Sequence, residues 1–353
     1  MINDTFKIGI EGKCLFNESN GLSNYTYNLI KGLCNIDKEN RYIVWYSKSH
    51  LFKKSILDFK QHNLIQKRYF FEFLFDKNLD IYHDTGSFSM VLPEAKEKIF
   101  TVRNLKNRFN KIKKEILLNS RFIIASSNGI KEELVKNFNF NEDKIKVVYE
   151  AANDCFVPQP KSIAMLAKTK YSIKRPFILT IGSFNEEKNN YFTLLKSYSF
   201  LKFESPPDLV IIDKNGNNSL EINKIAKKLD ILNNVKHLTC LSKKDMACLL
   251  SECEIFVCPR LYDGNALVLL EAMSCGAPII SSNNSAMEEI AGNNAILTDP
   301  TNPEKIANSI RKILSSETLK NDLKKKSLNT SSNFTLQKMA KETYNIYREA
   351  LNK

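Results

Sequence analysis

The stretch from Pro259 to Pro278 reads PRLYDGNALVLLEAMSCGAP. It has the order strand end, tight loop, two-turn helix, glycine stop and proline. One carboxylate, Asp263, lies in the loop, and a second, Glu271, follows eight residues later inside the helix. With a helix starting near Asn265, a rise of about 1.5 Å per residue sets the two roughly 12 Å apart. The paired carboxylates of a glycosidase stand about 5–9.5 Å apart. The wider spacing suits two groups gripping opposite ends of one elongated ligand. Between them, around Gly264, Asn265, Ala266 and Leu267, lie the unsatisfied N–H groups of a helix N-terminus, which favour an anion. A sugar, a pyrophosphate and a ribose fit that order. The plainer alternative is a βαβ unit with a buried Leu/Val helix.

Around this stretch the chain is 353 residues long, with 43% hydrophobic and 26% charged residues. That size and balance predict a globular protein of two domains. No run of about 18 apolar residues is present, so no spanning helix is expected. The opening MINDTFKIGI has neither the basic nor the apolar region of a signal peptide, which predicts a cytoplasmic protein. The eight cysteines form no C-x-x-C pair, and only four histidines occur, none paired at ligand spacing. Reduced, mostly buried thiols and no metal site are therefore expected. The net charge of +13 favours anionic partners. No zinc-finger, RNP-like or interleaved basic-aromatic pattern points to nucleic acid.

Short apolar strands alternate with helical stretches throughout, the pattern of a parallel, doubly wound sheet. In the first half the strands are Phe6–Ile10, Tyr42–Tyr46, Asp80–Tyr82, Lys98–Val102, Phe122–Ala125 and Lys146–Val148. Helices are expected at Tyr25–Leu33, Tyr69–Phe75, Asn107–Leu118 and Asn128–Asn137. The Pro-bounded loop Asn153–Pro160 reads as a domain boundary. The alternation restarts with strands at Phe177–Ile181, Asp208–Ile212, Val235–Leu238, Glu254–Cys258, Ile279–Ser281 and Ala295–Leu297. Between and after them come helices at Glu221–Leu229, Lys243–Ser251, Pro303 to about Ile313, and Lys338–Leu351. Two Rossmann-like lobes follow, at residues 1–158 and 159–335, with a terminal helix at 336–353. In such folds a ligand sits at the carboxyl ends of the strands, in the cleft.

RLYDGNALVLLEAMSCGAPIISS resembles the signature of family 4 retaining glycosyltransferases of the GT-B fold. MEEIAGNNAILTDPTNPEKIANSI is similar to that family's following segment, and FTLQKMAKETYNIYREAL to its C-terminal helix. PFILTIGSFNEEKN resembles the strand and phosphate loop of the second lobe. RFIIASSNGIKEELVKNFNFNEDKIKVVYEAANDCF and FKIGIEGKCLFNESNGLSNYTYNLIKGL resemble the end and the start of the first. The resemblance implies two Rossmann-like doubly wound lobes facing across a cleft, with the last helix crossing back to the first. It implies an enzyme moving a sugar from a nucleotide donor with retained configuration. The donor lies on the second lobe and the acceptor mostly on the first, with no metal needed because amides and cations neutralise the pyrophosphate.

Carried over by position, Glu271 is the carboxylate that accepts from the ribose hydroxyls. Asp263 is the carboxylate facing the donor sugar, where the family has Glu; Asp reaches about 1.5 Å less far. Lys188 is the phosphate lysine, next to Gly182 at the strand end, and Glu187 replaces the family's usual Arg. Gly21 belongs to the first-lobe glycine loop, where the missing Cβ lets a backbone N–H approach phosphate. His83 is the histidine near the donor sugar. Arg103-Asn104-Leu105 stands where the family often has His-Asp-Leu. Arg103 supplies a cation for the phosphates or for an anionic acceptor. LKNRFNKIKKEILL spaces Leu105, Phe109, Ile112 and Ile116 on one helical face against a basic one. This suits an anionic membrane surface or packing on a sheet. YFFEFLF at Tyr69–Phe75 reads as a buried helix or a greasy acceptor pocket. The expected activity is transfer of a mannose- or glucose-type hexose, from a GDP- or UDP-linked donor, to a surface glycan or glycolipid. The alternatives are a non-catalytic scaffold of the same fold and a nucleotide-sugar epimerase.

Overall fold

The computed structural model describes residues 5–16, 21–46, 55–68, 78–89, 92–105, 111–183, 187–201, 203–214, 216, 219–262 and 264–352, with the backbone alone at Ser285. Asp263 and the segment Tyr69–Phe75 lie outside the described residues. The chain forms two compact units, Met1–Ala151 with Phe334–Lys353, and Ala152–Asn333.

The first unit is a seven-stranded sheet. Its strands are β1 (Lys7–Glu11), β2 (Arg41–Tyr46), β3 (Leu64–Arg68), β4 (Leu79–Asp84), β5 (Ala95–Val102), β6 (Phe122–Ala125) and β7 (Ile145–Val147). Their spatial order is β3-β2-β1-β4-β5-β6-β7, and every pairing is parallel. Strands such as RYIVWY and FIIA are buried almost throughout, as expected when helices cover both faces. The helices are α1 (Gly21–Ile36), α2 (Lys111–Leu118), α3 (Asn128–Phe138) and the terminal α12 (Leu336–Ala350). α12 completes this unit. Its Met339, Ala340, Ile346, Tyr347 and Ala350 join the core cluster of α1 and β1. Gly32 lets the two helices meet, because a Cβ there would come within 2.9 Å of Ala340 Cβ and Leu336 O.

The second unit has six parallel strands: β8 (Phe177–Gly182), β9 (Asp208–Asp213), β10 (Val235–Thr239), β11 (Ile255–Cys258), β12 (Ile279–Ser282) and β13 (Ile296–Thr298). Their order is β10-β9-β8-β11-β12-β13. The helices are α4 (Lys161–Lys170), α5 (Tyr191–Ser199), α6 (Ser219–Lys228), α7 (Lys243–Glu252), α8 (Leu267–Ser274), α9 (Ser285–Ala291), α10 (Pro303–Leu314) and α11 (Glu317–Ser331).

Several elements differ from the expectation. β3, α4, α5, α9 and α11 are additional. β3 is LIQKR, an edge strand too polar to declare itself. α11 is ETLKNDLKKKSLNTS and buries little beyond Leu323, Ser327 and Thr330. α8 begins at Leu267 rather than near Asn265, because Ala266 is left-handed at φ 50° and caps it. All eight cysteines are free thiols, and five are buried. Among the described residues no helix is long and apolar enough to cross a membrane.

Candidate functional site

In the second unit the chain runs from β8 outward through β9 to β10, then returns to β11 on the other side of β8 and runs outward to β13. The β8/β11 junction is therefore the point where strand order reverses, and in open α/β sheets ligands bind outside the carboxyl ends at such a point. The loops leaving these ends are tied together. Leu261 N–H donates to Lys188 O at 2.9 Å. Asn190 Nδ2 donates to Pro259 O at 3.0 Å and to Pro300 O at 2.6 Å. Asn284 Nδ2 donates to Arg260 O at 2.7 Å and to Leu261 O at 3.0 Å. Lys188 is thus held against the loop that leads to Gly264 and Asn265. Gly182 is needed where the chain leaves β8, since a Cβ would lie 2.7 Å from the Tyr191 hydroxyl and 2.8 Å from Asn189 Cγ. Asn189 in turn donates to Ser183 O at 2.7 Å, which folds the loop back.

α8 is buried from Leu267 to Met273, and Glu271 is the one charged residue in it. A helix apolar on every side belongs in a core, so a carboxylate there needs a reason. Glu271 is 2% exposed. Among the described residues its Oε2 has no hydrogen-bond partner, and it lies 3.8 Å from Lys214 Nζ. Lys214 follows β9, and its backbone N–H donates to Gly182 O at 2.7 Å. The Lys214–Glu271 pair therefore bridges the two sides of the switch point. The buried hydroxyls of Ser183 and Ser281 also lack partners, as does Asn284 Oδ1. Unpaired buried polar atoms are costly in an empty protein and become useful when a polar ligand arrives. At the start of α8 the N-cap residue Ala266 offers no side-chain bond, and Leu267 N–H reaches only the distant Asn265 Oδ1 at 3.4 Å, so little competes with an anion at its first turn. Asp213, at the end of β9, is buried with its Oδ2 3.6 Å from His237 Nε2. Burial also pushes the nearby Cys155 thiol up.

The first unit reverses its strand order between β1 and β4. Gly21 opens α1 there, and a Cβ on it would lie 3.6 Å from Arg103 Nη2. Two residues singled out separately from the sequence are thus neighbours. Arg103 forms a two-pronged ion pair with Glu150, Nε to Oε1 and Nη2 to Oε2 at 2.9 Å. Its guanidinium also stands 5.3 Å from the centre of the Tyr25 ring. His83 is fully buried at the end of β4. Its Nδ1 lies 2.6 Å from Tyr347 Oη and its Nε2 2.8 Å from Thr101 Oγ1. Burial lowers its pKa to about 3, so the ring is neutral. With both nitrogens engaged, His83 ties β4 to α12 and β5 in this structure. Beside it, Asp84 accepts from the backbone N–H groups of Gly86, Ser87, Phe88 and Ser89. Glu11 accepts from Tyr82 Oη at 3.0 Å and Ser89 Oγ at 2.8 Å. Burial raises the pKa of both acids.

Lys214 and Glu150 escaped the sequence reading. Lys214 carried one signal, a lysine directly after the apolar run LVIID, where a strand of this kind delivers its ligand-facing residues.

Two parallel α/β units, each with polar groups gathered at its switch point and the last helix completing the first, make the GT-B architecture. The family described as Glycosyl transferases group 1 matches residues 165–330. An O-antigen chain mannosyltransferase B of Escherichia coli is 22% identical over 83% of this chain and 76% of its own length. A serotype-specific mannosyltransferase WbdA of the same species is 27% identical over 60% of this chain, a stretch spanning only 27% of WbdA. Among solved structures, a glycosyltransferase from Rickettsia africae superposes with a TM-score of 0.79 at 19% identity, covering 99% of both chains. Anabaena Alr3699/HepE in complex with UDP and glucose superposes with a TM-score of 0.78 at 14% identity, covering 98% of this chain and 100% of that one. Over residues 165–330 the chain is thus similar to the group 1 glycosyltransferases of the family 4 type, and over its whole length it shares the GT-B fold.

Proposed function

We propose that this glycosyltransferase moves a mannose- or glucose-type hexose from a nucleoside-diphosphate sugar to a glycan or glycolipid acceptor. It does so with retention of configuration, in the assembly of a surface polysaccharide. The carrying observation is the buried Glu271 Oε2 at the second unit's switch point, which has no hydrogen-bond partner among the described residues. An acceptor-only group in that position suits the hydroxyls of a ribose. The α8 amides and Lys188 offer charge to a diphosphate without a metal, and Asp263 and Gly264 lie next in sequence for the sugar. The mannosyltransferase names among the relatives and the UDP complexes among the structural neighbours support the donor class.

In this mechanism the acceptor oxygen bonds to the anomeric carbon on the face that the leaving diphosphate vacates. The bond from that carbon to phosphate oxygen breaks, and the acceptor proton passes to the departing phosphate. The protein's part is to orient the donor and stabilise the charge developing on the diphosphate. Gly21 and Arg103 on the first unit serve the phosphates or an anionic acceptor, within the limit set by the pairing of Arg103 with Glu150. His83 keeps a structural part in this reading. We place the protein in the cytoplasm, touching the inner membrane face through α2. There α2 leaves Ile112 and Leu118 half-exposed, and the Lys144 ammonium donates to Leu118 O at 2.7 Å.

A thermal-shift screen with UDP, GDP and ADP, followed by turnover of the matching sugar nucleotides, tests the assignment. One diphosphate is expected to raise the melting temperature, and Glu271→Ala to abolish both the shift and turnover. If Glu271→Ala turns over donor at the wild-type rate, the site has been misassigned. Nucleotide binding without turnover of any donor would instead favour a non-catalytic scaffold.

A further inference from the structure

We propose that Lys214 and Glu271 together read a single hydroxyl of a vicinal diol on the ligand. Lys214 donates to the hydroxyl oxygen, and the hydroxyl donates to Glu271 Oε2. The inference rests on the reading of the second unit as a nucleotide-sugar site and adds to it a residue with a stated chemical task.

A carboxylate only accepts and an ammonium only donates, so the two would ordinarily close on each other at about 2.8 Å. Here they stand 3.8 Å apart, and Oε2 has no hydrogen-bond partner among the described residues. That gap matches one oxygen atom placed against both. With contacts of about 2.8 Å on each side, the angle at the bridging oxygen is roughly 85–90°, a direction a hydroxyl can serve with its hydrogen on one side and a lone pair on the other. A hydroxyl is the group that satisfies both ends, because it donates and accepts at once. Water does the same, but a ligand diol brings its second hydroxyl as well.

The surroundings sharpen this choice. The Glu271 side chain is 3% exposed and that of Lys214 is 18% exposed, so solvent screens the pair weakly. Lys214 is fixed at its base by the bond from its N–H to Gly182 O. The preceding acid, Asp213, has its Oδ2 3.6 Å from His237 Nε2 on β10.

The chemical class that fits is a ribonucleoside diphosphate with both ribose hydroxyls. A deoxy analogue lacking the bridging hydroxyl leaves both charged groups unsatisfied. Calorimetry with UDP, GDP, ADP and their 2′-deoxy and 3′-deoxy counterparts tests the pairing on wild type, Lys214→Met and Lys214→Arg. Wild type is expected to bind its ribonucleotide about tenfold to a hundredfold tighter than one deoxy analogue, the scale of one charged hydrogen bond. Lys214→Met should lose about tenfold on the ribonucleotide and nothing on that analogue, and Lys214→Arg should regain part of the loss. Equal losses on both ligands would mean that Lys214 serves the phosphates or the fold. Unchanged affinity would remove it from the site, and either result overturns the inference while leaving the nucleotide site standing. If wild type binds none of the diphosphates, the nucleotide reading falls and the inference with it. Lys214→Gln replaces the Met variant if that one does not fold.

Discussion

Replacing Glu271 by Met should make the nucleotide-free protein more stable and weaken its hold on nucleotide. The carboxylate is 2% exposed, and one of its oxygens has no hydrogen-bond partner among the described residues. An unsatisfied buried acceptor costs about 1–3 kcal/mol. Lys214 at 3.8 Å returns about 4 kcal/mol at an effective dielectric near 20, and the desolvation of the buried ion, several kcal/mol, offsets that return. Met keeps much of the shape, removes both the ion's desolvation and the orphaned oxygen, and lets the partly exposed lysine turn to water. With the two large terms cancelling, the orphaned oxygen decides the sign, and we expect a gain of about 1 kcal/mol. For the second unit, Ala152–Asn333, that is a rise in Tm of about 2–4 °C. Nucleotide at a hundred times its Kd stabilises the wild type by about 2.7 kcal/mol. A tenfold to hundredfold loss of affinity would cut this to about 0.4–1.4 kcal/mol. Differential scanning calorimetry with and without nucleotide measures both effects in one series. A lower Tm for the empty variant, with the nucleotide shift intact, would make Glu271 a structural residue and refute the reasoning.

Three further outcomes are expected. A neutral His83 with a pKa near 3 in the fold and about 6.5 when unfolded stabilises the protein above pH 6.5, and that stability is lost as pH falls from about 6.5 towards 3. The loss approaches about 1.4 kcal/mol per pH unit, so chemical denaturation of His83→Gln between pH 6 and 4.5 should show a shallower slope than wild type. An equal slope would point to other groups. Gly182→Ala forces a Cβ to within 2.7 Å of the Tyr191 hydroxyl and 2.8 Å of Asn189 Cγ. It should cost about 1–3 kcal/mol and weaken nucleotide binding by displacing the Lys188 loop, as urea melts and calorimetry would show. Ile112→Glu with Leu118→Glu should reduce sedimentation with vesicles rich in anionic lipid while leaving donor hydrolysis unchanged; equal sedimentation would take α2 off the membrane.

What was legible in the sequence follows from what is local. The runs FILTI, LVII and IFVC are apolar but for Thr180, as suits buried parallel strands, and they lie where expected. α10 announced itself by Asn302, whose side chain accepts from Lys305 N, and by proline in its first turn. Glu271 stood out because no amphipathic logic places it in an apolar helix. Other features depend on distant partners. The engagement of His83 rests on Tyr347, in a helix at the far end of the chain. Lys214 became meaningful only beside Glu271. Ala266 looked like an ordinary helix former, yet it stands left-handed at φ 50° where glycine is the easy choice. That strain belongs to the tight entry into α8, and residue type alone did not reveal it.

The return of α12 to the first unit has a consequence for biogenesis. The first unit leaves the ribosome before the second, yet its core includes Met339, Ala340 and Tyr347. Domains otherwise close in the order of synthesis, at about 5–20 residues per second. Here the second unit, continuous from Ala152 to Asn333, can close while the first still waits with the α12-binding side of α1 uncovered. The core of the first unit is therefore complete only after the whole of the second has been synthesised.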